Sequence, residues 1–301
     1  MKVILGGGLV GLLARDILGD GWTVIPIGRS RFYSYTPPIM DDFIVRDAVI
    51  DEYMEPFIVV PIIYRYGYSY AGQILFNTAV ALRPYLNKLY RSNVPPHAEA
   101  YWRNRIDVFG YGSCIEIYRR LQARYSGELV NNNKLYGVPS AISDHIIRTE
   151  TGQHLDYERI VSTVPIQVLL GWLGIDVKLP SRDVFYYHLK TDDFNFEGAT
   201  RLFVADPEID FHSVYCVGRN NYIIESCKRI ELPGSYFMNI DGLNKFDLIA
   251  ETHSENVICC GRMPQYTQVG QADITCIGRH AVWDDCLDVG SCIKRIIKLG
   301  A

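Results

Sequence analysis

An apolar strand, Lys2 to Leu5, runs straight into Gly6-Gly7-Gly8 and then into a helix-forming stretch that opens Leu9-Val10-Gly11. Gly6, Gly8 and Gly11 stand at G-x-G-x-x-G spacing where a strand turns into a helix. At such a turn the first glycine permits the tight bend, the second lets the backbone approach a phosphate, and the third lets helix and strand pack closely. The start of a helix carries unpaired N–H groups and the positive end of the helix dipole, so a pyrophosphate can rest there. The pattern predicts a βαβ unit that binds a dinucleotide: strand 2–5, helix 9–19 stopped by Gly19-Asp20-Gly21, and a second strand from Trp22 to Ile27. The acid that usually ends the second strand and holds the ribose hydroxyls is replaced by Gly28, followed by Arg29-Ser30-Arg31. The ribose is then left to backbone, Ser30 or water, and Arg29 and Arg31 become candidate partners for adenine or phosphate.

At 301 residues the chain suits one large α/β domain or two interleaved ones, and 48% hydrophobic residues can bury a sizeable core. A net charge of -4 gives no electrostatic case for non-specific nucleic-acid binding. No apolar run is long enough to span a bilayer, so no membrane partner is expected. The eight cysteines include no C-x-x-C pair and no zinc-type spacing. They read as reduced thiols of a cytoplasmic protein, with no metal site. The 21 tyrosines can line a pocket for a flat ligand or serve as core.

Further along, residues 32–70 read as an aromatic, proline-bearing loop with short strands from Phe57 to Tyr64 and a Tyr/Arg cluster through Tyr70. Residues 71–92 read as helical, Pro95-Pro96 as a break, and a helix follows Gly110-Tyr111-Gly112-Ser113. Glu128-Leu129-Val130 reads as a short strand. A strand over Ala141 to Thr149, a turn at Gly152 and a strand from Leu155 make a hairpin that leads to Ile160-Val161-Ser162-Thr163-Val164-Pro165, and a helix is expected over 166–174. Phe185 to Leu189, Arg201 to Val204, Val214 to Val217 and Tyr222 to Glu225 carry strand signals of an antiparallel sheet. Asn256 to Arg262 looks like a partial duplicate of the later Asp273 to Arg279 strand. A last helix is expected from about Val289 to Leu299.

The order of these motifs resembles the flavoprotein superfamily of amine oxidases, protoporphyrinogen oxidase and UDP-galactopyranose mutase. Gly6-x-Gly8-x-x-Gly11, the Gly110/Gly112 pair before a helix, the strand ending Thr163-Val164-Pro165, and Gly278-Arg279 before the last helix carry the likeness. It implies an α/β fold: a Rossmann-like FAD-binding domain over 1–70, 105–165 and 255–301, with an interleaved α+β substrate domain over 71–104 and 166–254 that contains the antiparallel sheet. It implies FAD as cofactor. The flavin-site positions it carries over are Gly6, Gly8, Gly11, Thr163, Pro165, Gly278 and Arg279, with Val138 toward adenine because it follows the strand read at Val130.

A flavoenzyme with N5-centred chemistry on a small amine, amino acid or phosphorylated substrate follows from the resemblance, as oxidoreductase or as redox-neutral transferase or mutase. Arg279, His280 and His212 are the candidate catalytic residues, since histidine exchanges protons near neutral pH and arginine grips carboxylate or phosphate. Tyr33, Tyr35, Arg219, Arg262, Tyr266 and Trp283 are the candidate substrate contacts. The ending Gly278 to Trp283 and the short chain also resemble small bacteriophage flavoproteins, some found among enzymes that hypermodify thymine in phage DNA. That alternative implies transfer of an amino acid such as glycine onto 5-phosphomethyluracil in modified DNA. A third reading is a protein in which FAD is structural.

Overall fold

The computed structural model describes residues 1–27, 43–57, 61–76, 78–103, 107–112, 114–192, 198–218, 220–230, 247–260, 273–282 and 288–301. The chain opens with β1 (Lys2–Leu5), α1 (Leu9–Leu18) and β2 (Trp22–Ile25). It continues with β3 (Phe43–Val45), α2 (Ala48–Met54), β4 (Pro61–Tyr70), β5 (Gln73–Leu75), α3 (Thr78–Tyr90), α4 (Ala98–Arg103), β6 (Asp107–Gly112) and α5 (Cys114–Tyr136). Next come β7 (Pro139–Ser143), β8 (Ile146–Thr149), β9 (His154–Asp156), β10 (Arg159–Ser162) and α6 (Ile166–Trp172). The remainder is β11 (Ser181–Lys190), β12 (Arg201–Val204), β13 (Phe211–Gly218), β14 (Asn221–Ser226), β15 (Asp247–Cys259), β16 (Ile274–Cys276), α7 (Arg279–Val282) and α8 (Val289–Gly300).

Three sheets result. A parallel one runs β16-β10-β1-β2; a mixed, mostly antiparallel one runs β15-β11-β14-β13-β12-β4-β6-β3 with β5 on β4; a small meander runs β7-β8-β9. The single parallel pair in the large sheet is β12 with β4. The parallel strands are covered on both faces, which is why Val3-Ile4-Leu5, Val24-Ile25 and Ile160-Val161 are consecutive apolar residues. Ile4, Val24 and Val161 face α1, α5 and α8, while Val3, Leu5, Ile25 and Ile160 face α6 and the meander.

Several sequence expectations are corrected. Glu128-Leu129-Val130 is no strand but lies in the last turns of the 23-residue α5. The Asn131-Asn132-Asn133 run that follows is weakly helical by itself, but tertiary bonds hold it: Asn132 Nδ2 donates to Val24 O at 2.9 Å. One turn earlier, Glu128 accepts from Val24 N at 3.4 Å and pairs with Arg15 Nε at 3.0 Å. Two α5 side chains thus meet the outward N–H and C=O of the edge strand β2. The helix read over 71–92 begins instead with a hairpin, β4–β5, turned by Ala71 (φ 52°) and Gly72 (φ 73°). The loop and short strands read over 32–70 contain the helix α2, capped by Asp47 Oδ1 on Val49 N and Ile50 N at 3.1 Å each, and one ten-residue strand, β4. Asn256 to Cys259 is the end of β15 in the large sheet, and Gly261 and Arg262 lie outside the described residues.

β4, at the end of the segment assigned to the first domain, is hydrogen-bonded between β12 and β6 in the large sheet. Tyr66, Tyr68, Tyr85, Tyr90, Tyr186 and Tyr215 are core of that sheet and of α3 and α4. Tyr85 meets Trp102 edge-on with ring centres 5.5 Å apart, and Phe203 lies 5.0 Å from both.

Glu128→Ala is expected to lower unfolding free energy by about 2 kcal/mol, because it leaves the buried Arg15 with the exposed Asp20 as its remaining acid and takes the acceptor from Val24 N. Urea denaturation measures this; a loss under about 0.5 kcal/mol would match an ordinary surface residue and discard the role.

Candidate functional site

The turn after β1 is over-determined. Gly6 sits at φ +108°, and its N–H donates to Ile25 O at 3.0 Å. Leu5 O accepts both Thr163 N and Thr163 Oγ1, each at 2.9 Å. A Cβ on Gly6 would stand 2.4 Å from Thr163 Oγ1, and one on Gly11 would stand 1.9 Å from Gly6 O. Neither position tolerates a side chain, so both glycines are explained by the turn and by the approach of α1 to β1.

Gly8 is different. It caps α1 in an ordinary extended conformation (φ -75°, ψ -176°), it has no side chain to cap the helix, and a Cβ there would meet nothing within 4 Å among the described residues. Helix N-caps favour Ser, Thr, Asp or Asn over glycine for the bond they make to the helix. Nothing among the described residues requires glycine at position 8. The first turn of α1 also carries no acid, so its positive end keeps its full attraction for an anion.

The other strands bring further groups to the same edge. Pro165 precedes α6 as its N-cap, directly beyond β10. Ile277 N donates to Ser162 O at 2.9 Å, which aligns the end of β16 with β10. Gly278 (φ +113°) follows, with its Cβ position 3.8 Å from Val10 in the first turn of α1. Gly6, Gly8, Gly11, Thr163, Pro165 and Gly278 therefore gather at the carboxyl ends of the parallel strands, where open α/β sheets bind ligands. The backbone of Arg279 and His280 continues into α7; their side chains fall outside the described part of the structure. Arg29, Arg31, Tyr33, Tyr35, Arg219, Arg262, Tyr266 and Trp283 lie outside the described residues. Val138 follows the end of α5 rather than a strand, and its carbonyl accepts Glu150 N at 2.9 Å.

His212 makes its contacts elsewhere, in the large sheet. A bulge between β13 and β14 at this residue lets both His212 and Ser213 reach one cluster. Arg201 Nε donates to Ser213 Oγ at 2.7 Å, and Arg201 pairs with Glu225 Oε2 at 2.5 Å. His212 Nε2 lies 3.8 Å from the same oxygen, and its Nδ1 lies 3.6 Å from Cys227 Sγ. Burial, then the charge of Arg201, holds the imidazole pKa well below its usual value, so it is neutral at pH 7. Burial likewise pushes the Cys227 thiol up to about 12 and brings nearby Lys88 down to about 8. Sequence reading missed Arg201 and Glu225 as a pair. The available signal was a charged residue inside each of two apolar strands, which a buried partner alone makes tolerable.

No protein-family model and no curated protein matches the chain. Its structure matches solved ones over nearly its whole length. A reduced UDP-galactopyranose mutase aligns with TM-score 0.69 and 14% identity over 99% of this chain and 94% of that one. An oxidoreductase from Methanosarcina mazei aligns at 0.64 and 11%, over 99% of each chain. A putrescine oxidase double mutant aligns at 0.57 and 11%, over 99% and 97%. At these identities the likeness establishes the fold: an α/β fold with a parallel and a mixed sheet, as in the FAD-binding amine-oxidase type.

Two outcomes follow. Gly11→Ala is expected to cost on the order of 3 kcal/mol or to prevent folding, as its methyl would strike Gly6 O; a denaturation midpoint equal to wild type would refute the close packing. For His212, the folded pKa is depressed, so between it and the unfolded value near 6.5 the unfolded chain binds more protons. Stability is therefore lost as pH falls below about 6.5, by up to about 1.4 kcal/mol per pH unit from this group. Comparing Tm at several pH values from 7.5 down to 5, His212→Asn should show a shallower decline than wild type; equal slopes would mean the imidazole is not held neutral.

Proposed function

We propose that the chain is a flavoenzyme that binds FAD with its diphosphate across the N-terminus of α1 and acts on a small polar substrate. The observation that carries this reading is Gly8. Gly6 and Gly11 have reasons within the chain; Gly8 has none among the described residues, and its open Cβ position at an acid-free helix start is the cradle that a close-lying diphosphate needs. The residues fit that group: amide N–H donors of the first turn of α1 for the phosphates, and Gly278 beside Val10 closing the far side. The likeness to a UDP-galactopyranose mutase and a putrescine oxidase supports the choice of a flavin over a nicotinamide.

When bound, the flavin supplies a ring that accepts or returns an electron pair; the chain supplies placement and water exclusion. The backbone turn offers the anion fixed dipoles that need no reorganisation. With Gly28 in the usual place of the ribose acid, the adenosine half is held without that carboxylate.

Purified protein is expected to carry or take up FAD, read by its visible absorption and by mass spectrometry of the released cofactor. Gly8→Ser supplies a better helix cap, so apoprotein stability should hold or rise by about 0.5 kcal/mol, while FAD affinity falls about tenfold or more as the side chain enters the phosphate path. A colourless wild type that shows no FAD binding in calorimetry overturns the reading. Unchanged affinity in Gly8→Ser removes the observation on which it stands.

A further inference from the structure

We infer that Thr163 is a positioning residue for the diphosphate turn, acting through the backbone of Leu5, Gly6 and Gly11, not as a contact to the flavin ring; this rests on the FAD reading above. Its hydroxyl proton is committed to Leu5 O at 2.9 Å, the same carbonyl its own N–H reaches at 2.9 Å. That carbonyl belongs to the last residue of β1, immediately before the bend at Gly6. The Oγ1 atom also fills the space beside two glycines, 2.4 Å from a Cβ position on Gly6 and 3.2 Å from one on Gly11. One side chain therefore fixes the peptide that enters the turn and supports the turn from below.

The geometry explains why a threonine suits this place. A residue at the end of β10 stands beside Leu5 in the parallel ladder, where Leu5 pairs with Ser162. The next residue is the first that can reach back over the β1 carboxyl end. A hydroxyl on a short, β-branched stem reaches Leu5 O with one stiff rotor, so the bond costs little side-chain entropy. Without it the Leu5–Gly6 peptide, flanked by three glycines, keeps only the main-chain bonds and gains freedom to rotate. The amides that follow would then no longer point together at the anion.

The experiment compares wild type, Thr163→Val and Thr163→Ser in two ligand titrations and one ligand-free measurement. Thr163→Val keeps the shape but cannot donate. It should weaken FAD and ADP by the same factor, about tenfold, because ADP contains the diphosphate and lacks the flavin ring. Thr163→Ser should stay within about threefold of wild type for both ligands. Without ligand, hydrogen exchange over residues 1–12 should speed up in Thr163→Val and not in Thr163→Ser. Weakening of FAD alone, with ADP unchanged, would show that Thr163 contacts the flavin and would overturn the inference. So would unchanged exchange in a folded Thr163→Val. If wild type binds neither FAD nor ADP, the cofactor reading fails, whereas the exchange measurement still judges the support of the turn.

Discussion

The approach of α1 to the end of β1 sets the geometry of the candidate site. Gly11 lies against the Gly6 carbonyl with no room for even a methyl group, so the helix axis meets the strand at one distance only. That contact decides where the first turn of α1 points, and the positive end of the helix dipole follows. Everything else at the carboxyl edge is arranged about it: Ile25 O holds Gly6 N, Thr163 holds Leu5 O, and Gly278 lies beside Val10. A rigid frame of this kind lets backbone dipoles bind an anion without moving, which charged side chains on long stems do less well.

The large sheet follows a different rule. Its covered face is built from aromatic rings around a buried ion pair, Arg201 with Glu225, neither appreciably open to solvent. Such a pair adds little net stability against an apolar replacement, yet losing one partner is costly. Ser213 takes one guanidinium N–H, while Glu225 Oε1 has no hydrogen-bond partner among the described residues. The neutral His212 completes the cluster toward the Cys227 thiol. The pair fixes the registers of β12, β13 and β14 against one another, because a shift by one residue would turn either charge to the other, apolar face.

Much of the fold was legible. The glycine turn, the first βαβ unit, the turn at Gly152, the strand ending at Ser162, and the four strands between 185 and 225 stand in the structure as their patterns indicated, while the strand expected over Ala141 to Thr149 is two, β7 and β8, turned at Asp144-His145. The misreadings share one cause. Glu128-Leu129-Val130 looks like a strand because the local preferences around it are weak; the helical form of this stretch is stabilised by Arg15 and Val24, more than 100 residues away. Ala71-Gly72 reads as the start of a helix because an alanine gives no local sign that it will take positive φ beside the glycine. The tyrosines were ambiguous for a related reason: an aromatic ring has the same sequence signature in a pocket and in a core, and several of these are core.

At the candidate site, residue types by themselves determined that a strand ends in a glycine turn before a helix, since only glycine allows the bend and the close approach. The spacing assigns Gly8 to a phosphate and Gly6 and Gly11 to the fold, but not which of the three the chain itself needs. Tertiary structure decided that, because the need depends on what stands opposite each absent side chain: Thr163 before Gly6, a main-chain carbonyl before Gly11, and nothing among the described residues before Gly8. Those neighbours come from segments distant in the chain or from the bend itself, and no local pattern encodes their positions.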